Sequence, residues 1–274
     1  VGFFLSSVLV LLSLKQSAVC GKGGHNHDHQ FINIRTLALS LMRHVNVPWY
    51  ITQHGPEHVV RVCRYLELLL PCFRLDYETR QLLRAAALLH DIGQGNFNVS
   101  FREVRKCHHI YGRNMAWNLW QMGKLQLDQR QLEIVAELIY RHNLETELPE
   151  GPLRLPTLIL RAAAVLDFTK DRALSNDGGL SCDEIYERMQ NEKQNEWPHF
   201  SGHLAIDRLR LSWDSDCGLL TFFVEVNDRN EAAFQVARLE RKLAGLSEFV
   251  GVEVEVLSSG EPSWSPRNEV ALAC

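Results

Sequence analysis

Leu88-Leu89-His90-Asp91-Ile92-Gly93-Gln94-Gly95 sets an imidazole and a carboxylate side by side at the end of an apolar run. Leu82, Leu83, Ala86, Leu89 and His90 recur at helical spacing, so His90 continues a core-facing stripe, and Gly93 is placed to end the helix. A buried histidine and carboxylate must be paired or must hold a metal, because burial without a partner is costly. The dipeptide alone carries little, since His27-Asp28 repeats it with no pattern around it. Four further candidate ligands give it weight. His58 lies at the edge of the face formed by Val59, Val62, Cys63, Leu66, Leu69 and Leu70, and His54 precedes that helix within reach of the same pocket. His108 lies in His108-His109-Ile110-Tyr111-Gly112-Arg113, and His142 closes the stripe Leu132, Val135, Ile139. Asp167 falls in the middle of an apolar helix over 156–172, where a metal or an arginine has to compensate it; Arg161, six residues away, points elsewhere.

Imidazole and carboxylate donors without thiolates suit Mn, Fe, Mg, Co, Ni or Zn and argue against a structural zinc site. Six such donors exceed what one metal needs if water and substrate also bind. Two divalent metals sharing one carboxylate would use them all. Any one of these residues is as well read as a core or capping residue; the set is not.

The elements that must position them are helices. One spans 34–47 and is stopped by Pro48; the next opens at His54-Gly55-Pro56-Glu57-His58 with proline in its first turn. Helices over 80–89, 103–122, 132–142 and 156–172 follow, with a loop at 96–100. The chain then changes character. A polar amphipathic helix over 182–193 and a linker over 194–202 lead to an alternating strand over 204–213 and a second strand over 219–226. A helix over 231–244, closed by Gly245, precedes a third strand over 249–257. The expectation is a mainly α chain: an all-helical bundle over 31–195 and a small α+β (β-β-α-β) domain over 203–258. Asp207, Glu225, Asp228 and Glu231 in that domain form no catalytic cluster, and 259–274 reads as a disordered tail.

At 274 residues, 46% of them hydrophobic, the chain can build one large core or two small ones. A net charge of −4 excludes bulk electrostatic binding of nucleic acid. Seven scattered cysteines without a CxxC pair make neither a disulfide framework nor a zinc site, and suit a reduced compartment. Residues 1–14 are apolar and precede Ser17-Ala18-Val19-Cys20-Gly21. They read either as a mis-assigned start before a cytoplasmic domain, the reading preferred here, or as an export signal or anchor. The His-rich stretch 21–30 reads as a flexible linker that at most binds metal loosely.

The order His58, His90-Asp91, Asp167, within His58-Val59-Val60-Arg61-Val62 and Leu88-Leu89-His90-Asp91-Ile92-Gly93, resembles the HD superfamily of metal-dependent phosphohydrolases over roughly 31–193. His108, four residues before Gly112, and His142 in Tyr140-Arg141-His142-Asn143 resemble the extra histidines of its two-metal members. The resemblance implies that His58, His90, Asp91 and Asp167 hold a first metal. Asp91 then bridges to a second held by His108 and His142, with His109 competing for the role of His108. It implies hydrolysis of a small, nucleotide-like phosphate ester, as a phosphomonoesterase or phosphodiesterase, with Asp91 as the catalytic residue.

Two departures matter. Gln94 stands where many two-metal members carry lysine, and the Gly-Tyr-Pro signature of cyclic-di-GMP phosphodiesterases does not follow His142. Phosphate recognition then falls to Lys170, Arg172 and Arg113, with Gln94 and His54 nearby. The C-terminal unit resembles the tail of a branch of HD hydrolases met in archaea, which implies interaction, sensing or a homodimer through that unit. Two other outcomes share the ligand set: a non-catalytic metal or nucleotide sensor, and an HD-type di-iron oxygenase.

Overall fold

Helix starts in this chain are written by local capping. Asp76 accepts from the Thr79 amide at 2.7 Å, Ser100 accepts from that of Glu103 at 3.3 Å, and Asp128 and Gln131 form a reciprocal capping box. In the computed structural model, residues 26–43, 54–95, 100–174, 187, 197–259 and 269–270 are described. The helices are α1 (Asn26–Met42), α2 (Pro56–Leu69), α3 (Tyr77–Leu89), α4 (Phe101–Gln121), α5 (Gln129–Arg141), α6 (Arg154–Leu166), the short α7 (Lys170–Leu174) and α8 (Trp197–Leu204). Their apolar stripes meet in one core: Val62, Leu66 and Leu69 of α2, Leu83, Ala86 and Leu89 of α3, Leu132 and Ile139 of α5, and Ile159 and Ala163 of α6 are buried together.

The C-terminal part is the expected β-β-α-β unit. β1 (Ile206–Asp214) pairs antiparallel with β2 (Leu219–Val226), Leu211 opposite Phe222. α9 (Arg229–Leu243) carries the chain across to β3 (Gly251–Ser258), which lies parallel to β2. A β4 pair, Glu269–Val270, adds to the free edge of β1, so the order is β3-β2-β1-β4. α9 packs on α6 and α8, and its Leu239 and Leu243 enter the same core as the helical part. Gly202 and Gly245 permit this approach: an added Cβ would lie 2.8 Å from Cγ of Gln235 and 2.4 Å from Cδ2 of Leu158, respectively.

Several expectations change. α3 ends at Leu89 with His90 as its C-cap, and Gly93 lies in a 3-10 turn (Ile92–Gly95) without the left-handed backbone of a helix-ending glycine. Its role is close approach: an added Cβ would stand 2.0 Å from the His108 carbonyl oxygen and 2.5 Å from the Gly112 nitrogen. The helix expected over 156–172 breaks at Asp167, whose φ of −81° and ψ of 69° leave the helical region. Part of the expected linker over 194–202 is α8, with Phe200, Ser201 and His203 buried, and α1 already begins at Asn26. Glu269–Val270 pairs as a strand inside the tail expected to be disordered.

The apolar segment 1–14, the Pro48 stop and the polar helix over 182–193, save Glu187, lie outside the described residues. Among the described residues no helix is long and apolar enough to cross a membrane. Cys63, Cys72, Cys107 and Cys217 are free thiols.

Candidate metal centre

Asp91 sits in the turn after α3, 3% exposed, with each carboxylate oxygen facing a different pair of imidazoles. Oδ2 is 3.4 Å from Nε2 of His58, in the first turn of α2, and 3.5 Å from Nε2 of His90. Oδ1 is 3.5 Å from Nε2 of His108, on α4, and 3.6 Å from Nε2 of His142, the C-cap of α5. Two candidate metal-holding groups result, His58-His90-Asp91 and Asp91-His108-His142, joined through Asp91.

The hydrogen bonds behind these rings fix their tautomers. Nδ1 of His90 donates to the Ala87 carbonyl at 2.8 Å, that of His108 to Arg105 at 3.0 Å, and that of His142 to Ile139 at 2.6 Å. Nδ1 of His58 meets the Asp167 carboxylate at 2.5 Å. A carbonyl or carboxylate only accepts, so each Nδ1 carries the proton and each Nε2 presents a lone pair. Those lone pairs face one another, at 3.3 Å between His58 and His90 and 3.1 Å between His108 and His142, with an Asp91 oxygen beside each pair. Burial, opposed by Asp91, pushes His90 down to about 3 and His108 down to about 4, so both are neutral at neutral pH. Burial works against charge on Asp91, yet the surrounding imidazoles hold its carboxyl well below the usual range. A proton can serve two of the three donor atoms in a group; a metal ion serves all three. The residues present therefore fit a divalent cation in either group, with second-layer partners already in place.

Asp167, fully buried, stands behind His58, and none of its oxygens belongs to either group. Its Oδ1 accepts from Nε of Arg61 at 2.6 Å and its Oδ2 from Nη2 of Arg61 at 3.2 Å, and its backbone carbonyl accepts from Nη1 of Arg172 at 2.8 Å. Burial disfavours the ionised carboxyl, but the His58 hydrogen bond, Arg172 and Arg61 outweigh it and lower its pKa. These partners explain the break in the helix: the carboxylate and the carbonyl are both drawn off the helical path. Arg61 was legible as the residue one turn after His58 and on the same helix face, but it has no ligand chemistry to draw attention. Arg161 goes elsewhere, as expected, to the carbonyls of Arg141, Asn143 and Thr146, which fixes the chain around His142.

The C-terminal part also fastens this corner. Nδ1 of His203, on α8, donates at 2.8 Å to the carbonyl of Phe168, next to Asp167. Burial holds His203 well below the ordinary histidine range, with positive neighbours adding to the effect. The unfolded chain therefore binds this proton more readily than the folded one, and folding stability drops as pH falls below the unfolded value near 6.5. The expected loss is up to about 1.4 kcal/mol per pH unit below that point for this one group. Thermal unfolding at pH 7.5 and 5.5, compared between wild type and His203→Gln, measures it: the glutamine variant should show the smaller acid loss.

The remaining expected site residues separate. His108 joins the centre; His109 turns away to Asn143, 3.0 Å from its Nδ1, and packs on Tyr140, whose ring also carries the Arg113 guanidinium at 4.7 Å. Arg172 and His54 lie on the His58 side, with Nη2 of Arg172 3.1 Å from Nε2 of His54 and the His54 and His58 rings 5.5 Å apart. Lys170 is drawn to the sheet, donating to Oδ1 of Asp207 at 2.9 Å. The Gln94 backbone N–H donates to the Asp91 carbonyl at 2.8 Å and closes the turn that carries Asp91.

Four helices that bury their apolar stripes together and deliver four histidines and an aspartate to one point define a helical His/Asp metal-binding domain. Residues 56–169 match the family model of the HD domain, a stretch that contains all of these residues. No curated protein matches the chain.

Proposed function

We propose that the chain is a two-metal phosphohydrolase acting on a small, nucleotide-like phosphate ester. The observation that carries this reading is the division of the Asp91 carboxylate between two sets of imidazoles whose outer nitrogens are already committed. Two divalent metals bound there would supply a water made nucleophilic near neutral pH and neutralise charge on the phosphoryl oxygens. The protein's part is to hold the ligands and to exclude alternatives. Asp91 fixes the relation between the two groups, burial keeps His90 and His108 neutral, and the backbone carbonyls of Ala87, Arg105 and Ile139 accept from Nδ1 and so leave Nε2 of His90, His108 and His142 facing inward. In this reading Asp167 acts from behind His58, keeping its Nδ1 protonated and its Nε2 aimed inward, while Arg61 keeps Asp167 ionised. Arg172, beside His54, is a second cation on the His58 side of the centre.

The test is hydrolysis by the full chain reloaded separately with Mn, Co, Ni, Mg and Fe, on p-nitrophenyl phosphate, bis(p-nitrophenyl) phosphate and a nucleotide panel. Metal-dependent turnover that vanishes in Asp91→Ala supports the proposal. A folded, metal-loaded protein silent on every substrate overturns it, and iron content with oxygen uptake, or nucleotide binding alone, then points to the oxygenase or the sensor.

Asp167→Asn tests the role given to Asp167. The amide oxygen can still accept from His58, but the charge that balances Arg61 is lost. Metal affinity is expected to fall about 10–100-fold, the range for partners behind a ligating histidine. A metal titration in which Asp167→Asn matches wild type would remove Asp167 from the site.

A further inference from the structure

The four histidines of the centre are not all held in the same way. His90, His108 and His142 each donate to the carbonyl three residues back on their own helix, at Ala87, Arg105 and Ile139. His58 lies in the first turn of α2 and has no earlier turn to lean on, so its Nδ1 is held by the Asp167 side chain instead. The backbone of a tight turn sets where that carboxylate stands. Asp167, at φ −81° and ψ 69°, is the central residue of an inverse γ-turn, closed by the Phe168 N–H on the Leu166 carbonyl at 3.0 Å.

One hydrogen bond does not fix a turn at a helix end, where the last carbonyls lack partners within the helix. The two carbonyls that leave the turn are taken from the side where the C-terminal part packs. That of Asp167 accepts from Nη1 of Arg172, on α7, which packs against α8. That of Phe168 accepts from Nδ1 of His203, on α8 itself, at 2.8 Å. Lys170, which opens α7, reaches Oδ1 of Asp207 on β1 at 2.9 Å. His203 is fully buried, and its Nε2 meets no partner among the described residues. An orphan ring nitrogen costs stability that a leucine would not. What the imidazole supplies is the donor for the Phe168 carbonyl.

Behind the group Asp91-His108-His142 the holding contacts come from the helical part. Besides the carbonyls of Arg105 and Ile139, Arg161 of α6 fixes the chain around His142 through the carbonyls of Arg141, Asn143 and Thr146, at 2.7, 2.8 and 2.7 Å.

We propose that the C-terminal part holds one of the two metal positions and not the other. His203 is a positioning residue: it acts through the Phe168 carbonyl on the turn at Asp167, and through Asp167 on His58. A shift of α8 is then read out as weaker binding at His58-His90-Asp91, while Asp91-His108-His142 keeps its affinity.

This inference rests on the metal centre of the proposed function and not on its reaction, so Co(II) alone is the probe. It is titrated into the metal-free full chain by calorimetry and visible absorption, in two backgrounds. His142→Ala leaves the group His58-His90-Asp91 intact, and His90→Ala leaves Asp91-His108-His142 intact. In the first background His203→Leu should weaken Co(II) binding about tenfold, the low end of the range for partners behind a ligating histidine, and alter the absorption of the bound ion. In the second it should change neither. His203→Asn, whose side-chain N–H can stand where Nδ1 stood, should restore most of the affinity. Asp207→Asn weakens the more exposed contact to Lys170 and should give a loss of about threefold, again in the first background alone. Arg154→Gln breaks the pair with Glu248 at the other end of α6, 2.7 Å apart, and should leave both groups unchanged.

Circular dichroism confirms folding, and Asp207→Asn carries the test if His203→Leu does not fold. An equal loss in both backgrounds, no loss in the first, or a loss that His203→Asn does not restore overturns the positioning role. A wild type that binds no Co(II) overturns it together with the centre. The expected asymmetry in a chain that hydrolyses nothing keeps the inference and removes the hydrolase. Metal-dependent hydrolysis with binding that His203→Leu leaves unchanged does the reverse.

Discussion

Asp91→Ala is expected to lower metal-dependent turnover at least about a thousandfold, equivalent to ~4 kcal/mol of transition-state stabilisation. Asp91 is the residue the two groups share, with one oxygen facing each, so the substitution removes one donor from each. His58 and His90 keep their backbone and Asp167 partners, as do His108 and His142, and the surrounding helices bury the same apolar stripes without Asp91. The variant should therefore fold while its metal content falls. Asp91→Asn sharpens the result. An amide offers one accepting oxygen and one donating nitrogen, so it can serve one group as a ligand while its N–H bonds face lone pairs in the other. It should retain metal in one group and still lose turnover. Metal content per chain, measured beside activity for both variants, is the check, and full metal content with full activity in either would remove Asp91 as the shared ligand.

Gly93→Ala is expected to be the costliest single-methyl change in the domain. The added carbon would meet two backbone atoms, 2.0 Å and 2.5 Å away, and neither can rotate aside as a side chain would. Overpacking of this kind costs about 1–3 kcal/mol when side chains can adjust, and here α4 as a whole has to move. His108 rides on that helix, so relief of the clash pulls its Nε2 away from Asp91 and opens the second group. Thermal unfolding should show a clearly lower transition, and metal titration should show weaker binding at the group that contains His142. A variant that melts and binds like wild type would mean that the contact between the turn and α4 does not hold the site together.

The sequence by itself determined which elements form and which residues can ligate. The stripes of α2, α3, α5 and α6 were legible because their apolar residues recur at helical spacing, and the first strand because apolar and polar residues alternate over much of its length. His58, His90, Asp91, His108 and His142 were legible because imidazoles at the ends of buried stripes are costly unless something binds them. Fine choices were not. His108 and His109 are equal in sequence; the rotation of α4 against α5, set by Gly93 and Gly112, sends one to Asp91 and the other to Asn143. Asp167 reads as part of a continuous helix, because 156–172 is apolar throughout, and only contacts from α2 and Arg172 break it. α8 was hidden because Pro198 and Gly202 read as linker residues, whereas Gly202 is what lets α8 touch Gln235.

Ligand identity is local chemistry and can be read from a chain. Which residues share a site depends on packing between elements more than a hundred positions apart, and no local pattern records it.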